Sequence, residues 1–368
     1  MKKVKLTSVC RPKQWKSIPI SELSDVGYPV YGANGVIGYY DSYNHEQETV
    51  IITCRGATCG TVNLTHPRSY VTGNAMCLDN VKDSVDIKYL FYSMQAYDFT
   101  KVISGTAQPQ ITRVGLEKVE FALPSLDVQR EIVSILDKID TLIEKRRLQL
   151  KKLDDLIKAR FVEMFGDPVS NPYKLPTVLL GELSELITKG ASPSWQGFNY
   201  TDDPSQTLFL TSENVKNGYI DLSSPKYIED KFNTKQKRSI VHKGDFLINI
   251  VGASIGRAAQ FNLNCKANMN QAAALVRIND NRIRDKYLLT YLNSDKAQLM
   301  YDSMKSDTGR ANLSLKDISE LSILLPSIEE QLIFEKVVAQ IDKSKATVQK
   351  ALDETQLLFD SLMQQYFG

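Results

Sequence analysis

A chain of 368 residues exceeds what one hydrophobic core ordinarily serves, so two domains are expected. With 42% hydrophobic residues, 24% charged residues and a net charge of +2, the composition excludes a disordered chain, and no apolar run approaches the ~18 residues of a membrane span. The basic opening MKKVKLTSVCRPKQW lacks the apolar core of a secretory signal and five scattered cysteines make a poor disulfide framework, so a cytoplasmic protein with reduced thiols is expected.

Residues 1–122 alternate short β-branched or aromatic runs such as TVIITC with Gly, Asn and Asp turns. The glycines of YGANGVIG fit neither a Walker nor a dinucleotide fingerprint, and a hairpin turn is expected there. A helical candidate, DIKYLFYSMQAY, follows. Three polar loops offer Arg55 and Thr58 in CRGATCG, Asn74 in TGNAM, and Gln108, Gln110 and Arg113 in GTAQPQITR. Arg on guanine and Asn or Gln on adenine read base edges bidentately, although the same residues also populate ordinary turns. Cys54 and Cys59 lack a second pair of zinc ligands, and the three histidines lie far apart in sequence, so no metal site is expected.

Residues 123–166 contain no Gly or Pro between Ser125 and Phe165. Apolar residues recur at every seventh position on two lines, Leu136, Ile143, Leu150, Ile157 and Met164, and Ile132, Ile139 and Leu153, which is a coiled-coil seam. Arg146 interrupts the second line, where its stem must snorkel. The basic run EKRRLQLKK is read as a solvated face. Gly166 followed by Pro168 ends the helix, and GDPVSNPY is a linker; a methyltransferase Asn-Pro-Pro-Tyr loop would need a second proline.

Residues 167–324 repeat the mixed pattern with VKNGYID, DFLINIV and AAALVRI, then a helical candidate RDKYLLTYLNSDKAQLM. Matched loops offer Ser254 and Arg257 in GASIGR, Asn268, Asn270 and Gln271 in NMNQA, and Arg310 and Asn312 in TGRANLS. Residues 325–368 form the second seam, with Phe334, Ile341, Val348 and Leu362 on one line and Val338, Leu352 and Phe359 on the other. Ser327 with Glu330 makes a capping box at its start, whereas Ser125 has Val128 where the acid would be.

The chain therefore says nearly everything twice. LPSLDVQREIVSILDKID and LPSIEEQLIFEKVVAQID lie 202 positions apart, and GATCG and GASIG lie 196 apart. A helix of ~40 residues is ~60 Å long, and two such helices would leave their seams in water unless they bury them against each other. An antiparallel pair places two α+β domains with curved β-sheets about an approximate two-fold axis; a parallel pair satisfies the seam equally. No Ser-His-Asp or Cys-His arrangement, paired carboxylates or S-adenosylmethionine loop stands out, so no catalytic residue is expected. Charge is nearly balanced in each globular segment, so any DNA binding needs basic groups gathered on one face or phosphate contacts from a partner.

With the repeat, the paired helices and the doubled LP-x-x-x-x-Q start in view, the chain resembles the specificity subunit of type I restriction-modification systems over its whole length. KGDFLINIVGASIGRA and YPVYGANGVIGYYD add to the likeness. The resemblance implies a non-catalytic subunit with two target recognition domains, each reading half of a bipartite, asymmetric site in double-stranded DNA, and two spacer helices fixing the distance between halves. It further implies two modification subunits that bring S-adenosylmethionine and the adenine methyltransferase site, and a restriction subunit that could join to cut DNA with ATP and Mg; this chain itself would bind no cofactor and no membrane. A coiled-coil adaptor joining two protein-binding domains shares the helices, but gives no reason for Arg, Asn and Gln loops at matched positions.

Overall fold

The computed structural model describes residues 3–105, 108–304 and 312–368. Two compact units partition the chain: Met1–Leu148 with Val348–Gly368, and Gln149–Thr347.

In the first unit an antiparallel sheet runs in the order Arg11–Gln14, Ala75–Asp79, Val50–Thr53, Val62–Leu64. Its inner strands VIIT and AMCLD are buried almost throughout, which is why they read as continuous apolar runs. Tyr28–Gly32 and Gly35–Tyr40 form the expected antiparallel hairpin, with Gly35 at φ +102°, a conformation that favours glycine. Tyr70–Val71 joins this hairpin in parallel. The helix Ile87–Ala96 starts at Asp86, whose carboxylate accepts from the N–H groups of Lys88 and Tyr89. It packs Tyr89 and Leu90 into the core with Val50 and Ile52.

The second unit repeats the sheet as Ser184–Lys189, Ala273–Ile278, Phe246–Asn249, Ala258–Gln260. A parallel pair, Thr207–Leu210 with Ala267–Met269, recurs as well. The match extends to single hydrogen bonds. Gly60 N donates to Thr53 O and Gly256 N to Asn249 O, both at 2.9 Å, so the 196-residue offset read from GATCG and GASIG is structural. The helical candidate RDKYLLTYLNSDKAQLM instead forms two helices, Asp285–Leu292 and Asp295–Met304. They break where Asn293 turns its amide onto the sheet edge, accepting from Ala258 N at 3.0 Å and donating to Ala258 O at 2.9 Å.

The long helices are Leu126–Phe165 and Ile328–Phe367, of 40 residues each. Each unit contains the start of one and the end of the other. In the first unit Arg146 meets Ala351, while Leu136 shares a core with Phe359 and Leu362. In the second, Asp154 pairs with Lys345, while Phe161 meets Phe334 with ring centroids 5.6 Å apart. Within each unit, therefore, the helices run antiparallel, and the parallel alternative is excluded. The expected capping box is present: Ser327 N donates to Glu330 Oε2 at 3.0 Å and Glu330 N to Ser327 Oγ at 3.3 Å.

The interruption at Arg146 has a partner. On the opposite helix the heptad position between Val348 and Leu362 is Thr355, whose hydroxyl donates to the carbonyl of Ala351 at 2.7 Å; the Arg146 guanidinium donates to the same oxygen. The two polar seam positions thus satisfy one backbone acceptor together. A polar contact of this kind fixes register at some cost in stability.

The glutamine of LP-x-x-x-x-Q explains the doubled motif. Gln129 and Gln331 are each 0% exposed. Gln129 Nε2 donates to Ser84 O and Pro124 O, at 3.0 and 2.9 Å, and its Oε1 accepts from Asp86 N at 2.9 Å. Gln331 does the same with Arg282 O, Pro326 O and Arg284 N, at 2.9, 3.0 and 2.8 Å. Each amide therefore ties the start of a long helix to the loop that enters the unit's shorter helix. Nearby, Tyr89 and Tyr287 donate their hydroxyls to Ala122 O and Leu324 O, at 2.9 and 2.8 Å.

Candidate nucleic-acid interface

In the first unit the strand Val50–Thr53 leaves the sheet at Cys54, and the loop after it is zipped to residues 108–113. Gly56 N donates to Pro109 O at 3.2 Å, Ile111 N donates to Cys54 O at 3.0 Å, and Arg55 faces Gln110 in an antiparallel bridge. Arg113 opens a short helical turn capped by the Thr112 hydroxyl, which accepts from Gly115 N at 3.1 Å. Arg55, Gln110 and Arg113, distant in sequence, thereby line one groove of about 320 Å³. Arg11, Lys13 and Gln14 from the edge strand complete it, and no carboxylate is among its lining residues. Four cations around an open groove attract a polyanion, and their neighbour Gln110 supplies both a donor and an acceptor, whereas Gln14 Nε2 donates to Cys54 Sγ and Gly73 O at 2.9 and 3.0 Å. Lys13 also lies 3.3 Å from the centroid of the Trp15 ring. Burial pushes the thiol of the neighbouring Cys54 up, against the opposing pull of the Gln14 amide on its sulfur and the Arg55 charge, so it adds no negative charge beside the groove.

Asn74 and Gln108 are exposed beside this groove, and Thr58 is exposed at the tip of the 56–60 turn; none of the three is among the groove's lining residues. The edge strand Arg11–Gln14 is what sequence reasoning missed. Its basic residues were visible in MKKVKLTSVCRPKQW, but only the sheet places them beside Arg55.

The second unit uses the same scaffold with other side chains. Val251 bridges Asn312 as Arg55 bridges Gln110, and Leu313 N donates to Ile250 O at 2.9 Å as Ile111 N does to Cys54 O. Strand register aligns Lys189, opposite Ala274, with Gln14, opposite Met76. The position of Arg55 is thus Val251. Arg257, Gln271 and Asn312 are exposed. Ser254 is half-buried, and its hydroxyl accepts from the Asn249 amide at 3.1 Å. Asn270 is half-buried, and its side chain accepts from Ala272 N at 3.0 Å. Arg310 lies outside the described residues.

Asn268 belongs to the core. It is 0% exposed, donates to Asn233 Oδ1 and Gln236 O at 2.8 and 3.1 Å, and accepts from Ser239 Oγ and Met269 N, both at 2.8 Å. With its amide committed it has nothing left for a base, and it leaves the candidate set. The loop match also shifts: Cys54 N donates to Asn74 O as Ile250 N donates to Ala272 O, so the counterpart of Asn74 is Ala272. A convergence that spacing does not reveal joins His45, Cys77 and Asp79, with ligand atoms within 4.8 Å of one another. Protein partners already engage it: His45 faces Asn44 Oδ1 at 2.6 Å and Asp79 Oδ1 at 2.9 Å, and Trp15 Nε1 donates to Asp79 Oδ2 at 3.1 Å. His45 and Asp79 thus engage each other and the neighbouring Asn44 and Trp15.

Comparison with known proteins agrees with this geometry. A family model described as the type I restriction modification DNA specificity domain matches residues 1–152 and 176–355. The specificity subunit of the type I restriction enzyme EcoBI from Escherichia coli is 30% identical over 314 residues, 78% of this chain and 66% of that protein. A putative type I restriction enzyme specificity subunit from Haemophilus influenzae is 22% identical over 351 residues, 92% of this chain and 85% of that protein. The likeness to the EcoprrI specificity subunit of E. coli, 33% identical, spans only 31% of this chain and 28% of that protein. In fold, the crystal structure of a type I restriction-modification S subunit from M. genitalium superposes with a TM-score of 0.60 at 16% identity, covering 100% of this chain and 96% of that one. The chain belongs to the type I restriction modification DNA specificity family.

Proposed function

We propose that the chain is the DNA-recognition subunit of a type I restriction-modification complex, itself non-catalytic. Residues 1–122 and 167–324 are the recognition domains, each reading one half of a bipartite, asymmetric site in double-stranded DNA. Residues 123–166 and 325–368 are the spacers whose length sets the separation of the halves. Two modification subunits dock on it and supply S-adenosylmethionine and adenine methylation; a restriction subunit adds cleavage with ATP and Mg. The complex works in the cytoplasm, in keeping with the fact that no helix among the described residues is long and apolar enough to cross a membrane.

The observation that carries this reading is one scaffold with two surfaces. The bridge that presents Arg55 and Gln110 in the first unit presents Val251 and Asn312 in the second. Identical frames with different donors and acceptors suit two different half-sites, because base edges are told apart by their donor and acceptor pattern. An adaptor for two protein partners has no need of the carboxylate-free cationic groove. Methylome sequencing of cells with and without the gene tests the reading: a bipartite adenine motif should vanish with the gene, and an unchanged methylome refutes it. The purified chain alone should transfer no methyl group.

A further inference from the structure

The second unit carries a feature that the paired loops do not explain. Between the edge strand Ser184–Lys189 and the strand Tyr200–Thr201, the segment GASPSWQGFN presents Trp195 with 86% of its surface exposed. The chain has two tryptophans; the other, Trp15, is half-buried and hydrogen-bonded to Asp79. An indole buries much apolar surface when packed and forgoes that gain here.

The turn holding it is firmly built. Gln196 N and Phe198 N donate to Pro193 O at 2.9 and 3.0 Å, and Gly197 N donates to Ser194 O at 3.2 Å. Gly197 closes the turn at φ +80°. Behind it, Phe198 packs edge-on against the fully buried Phe232, with centroids 5.4 Å apart. Lys235 donates to Gln196 O at 3.0 Å, clamping the turn to a segment whose Lys231, Lys235, Lys237 and Arg238 are all exposed. At its other end the segment leaves the sheet at Gly190, whose N–H donates to Asn270 O at 3.2 Å. A Cβ at Gly190 would stand 1.7 Å from Met269 O, so the backbones touch there. The turn therefore springs from beside Asn270 and Gln271, next to Lys189, the register counterpart of groove residue Gln14.

An aromatic held rigidly in water, flanked by unburied cations and rooted at the candidate base-reading edge, has the make-up of a base-stacking element. Cations hold the backbone while the ring takes a base face or wedges a base step open. The geometry points to Trp195 as a DNA-contacting residue of the second half-site, inserting its indole against the bases of the bound duplex. This rests on the DNA-recognition reading above.

The test uses the assembled complex with 5-fluorotryptophan confined to this chain, whose two ¹⁹F resonances are assigned with Trp15→Phe. Adding a duplex that carries the methylated motif should shift the Trp195 resonance. W195A should weaken binding of that duplex about 5- to 100-fold, the range for losing one stacked base, while W195F retains most of it. A Trp195 signal unmoved by DNA, with W195A binding as tightly as the parent in a complex that does bind DNA, overturns this proposal alone. A resonance that moves when the modification subunits are added, and not further with DNA, overturns it in favour of a protein contact. Failure of the parent complex to bind any duplex defeats the recognition reading and this proposal with it.

Discussion

Replacing Arg55 and Arg113 together by alanine is expected to weaken DNA binding by the assembled complex about 100-fold near physiological salt, at about 1–3 kcal/mol per contact. Both side chains are exposed on the groove that they share with Arg11 and Lys13, so the fold should hardly respond. Salt dependence separates the two ways in which they can act. If both neutralise phosphates, the slope of log K against log salt falls by about 2 and every sequence suffers alike. If either reads a base, the loss concentrates on the half-site belonging to residues 1–122 and discrimination there relaxes. Equal affinity of the double variant and the parent, measured by fluorescence anisotropy across a salt series, would remove the groove from the interface.

Gln331→Ala should be strongly damaging although it lies away from the interface. It strands the Arg284 N–H and the carbonyls of Arg282 and Pro326 at a site with no exposed surface on the glutamine, an expected loss of about 3 kcal/mol. Hydrogen exchange reads this locally: the Arg284 amide in the assembled complex should exchange about 100-fold faster, with the first unit unaffected. Gln129→Ala should produce the mirror result at the Asp86 amide. Unchanged protection at both positions would mean that the doubled glutamine is not what ties the long helices to the units.

Much of this architecture is legible in the sequence because periodicity reports burial. The lines through Leu136 and Phe334 recur at seven because both helices turn one face inward, and those two residues are 0% exposed. What periodicity does not report is the partner. Nothing in the spacing says that Arg146 and Thr355 converge on the Ala351 carbonyl, or that a glutamine five residues after a proline will reach a loop over forty positions away. The candidate site is less legible for the same reason. CRGATCG and GTAQPQITR announce their polar residues, but only the bridge between Arg55 and Gln110 assembles them, and only sheet pairing adds Arg11 and Lys13. Asn268 shows the opposite failure, since the sequence gives an amide without showing that four protein groups already occupy it.

Two units of one fold and unlike surface should each read their own half-site. Exchanging residues 1–122 for the matching segment of a relative with a different specificity, followed by methylome sequencing, tests it most directly. The expected result is a motif in which one half changes while the other half and the spacer stay as they were. A motif changed in both halves, or in neither while methylation persists, would contradict it.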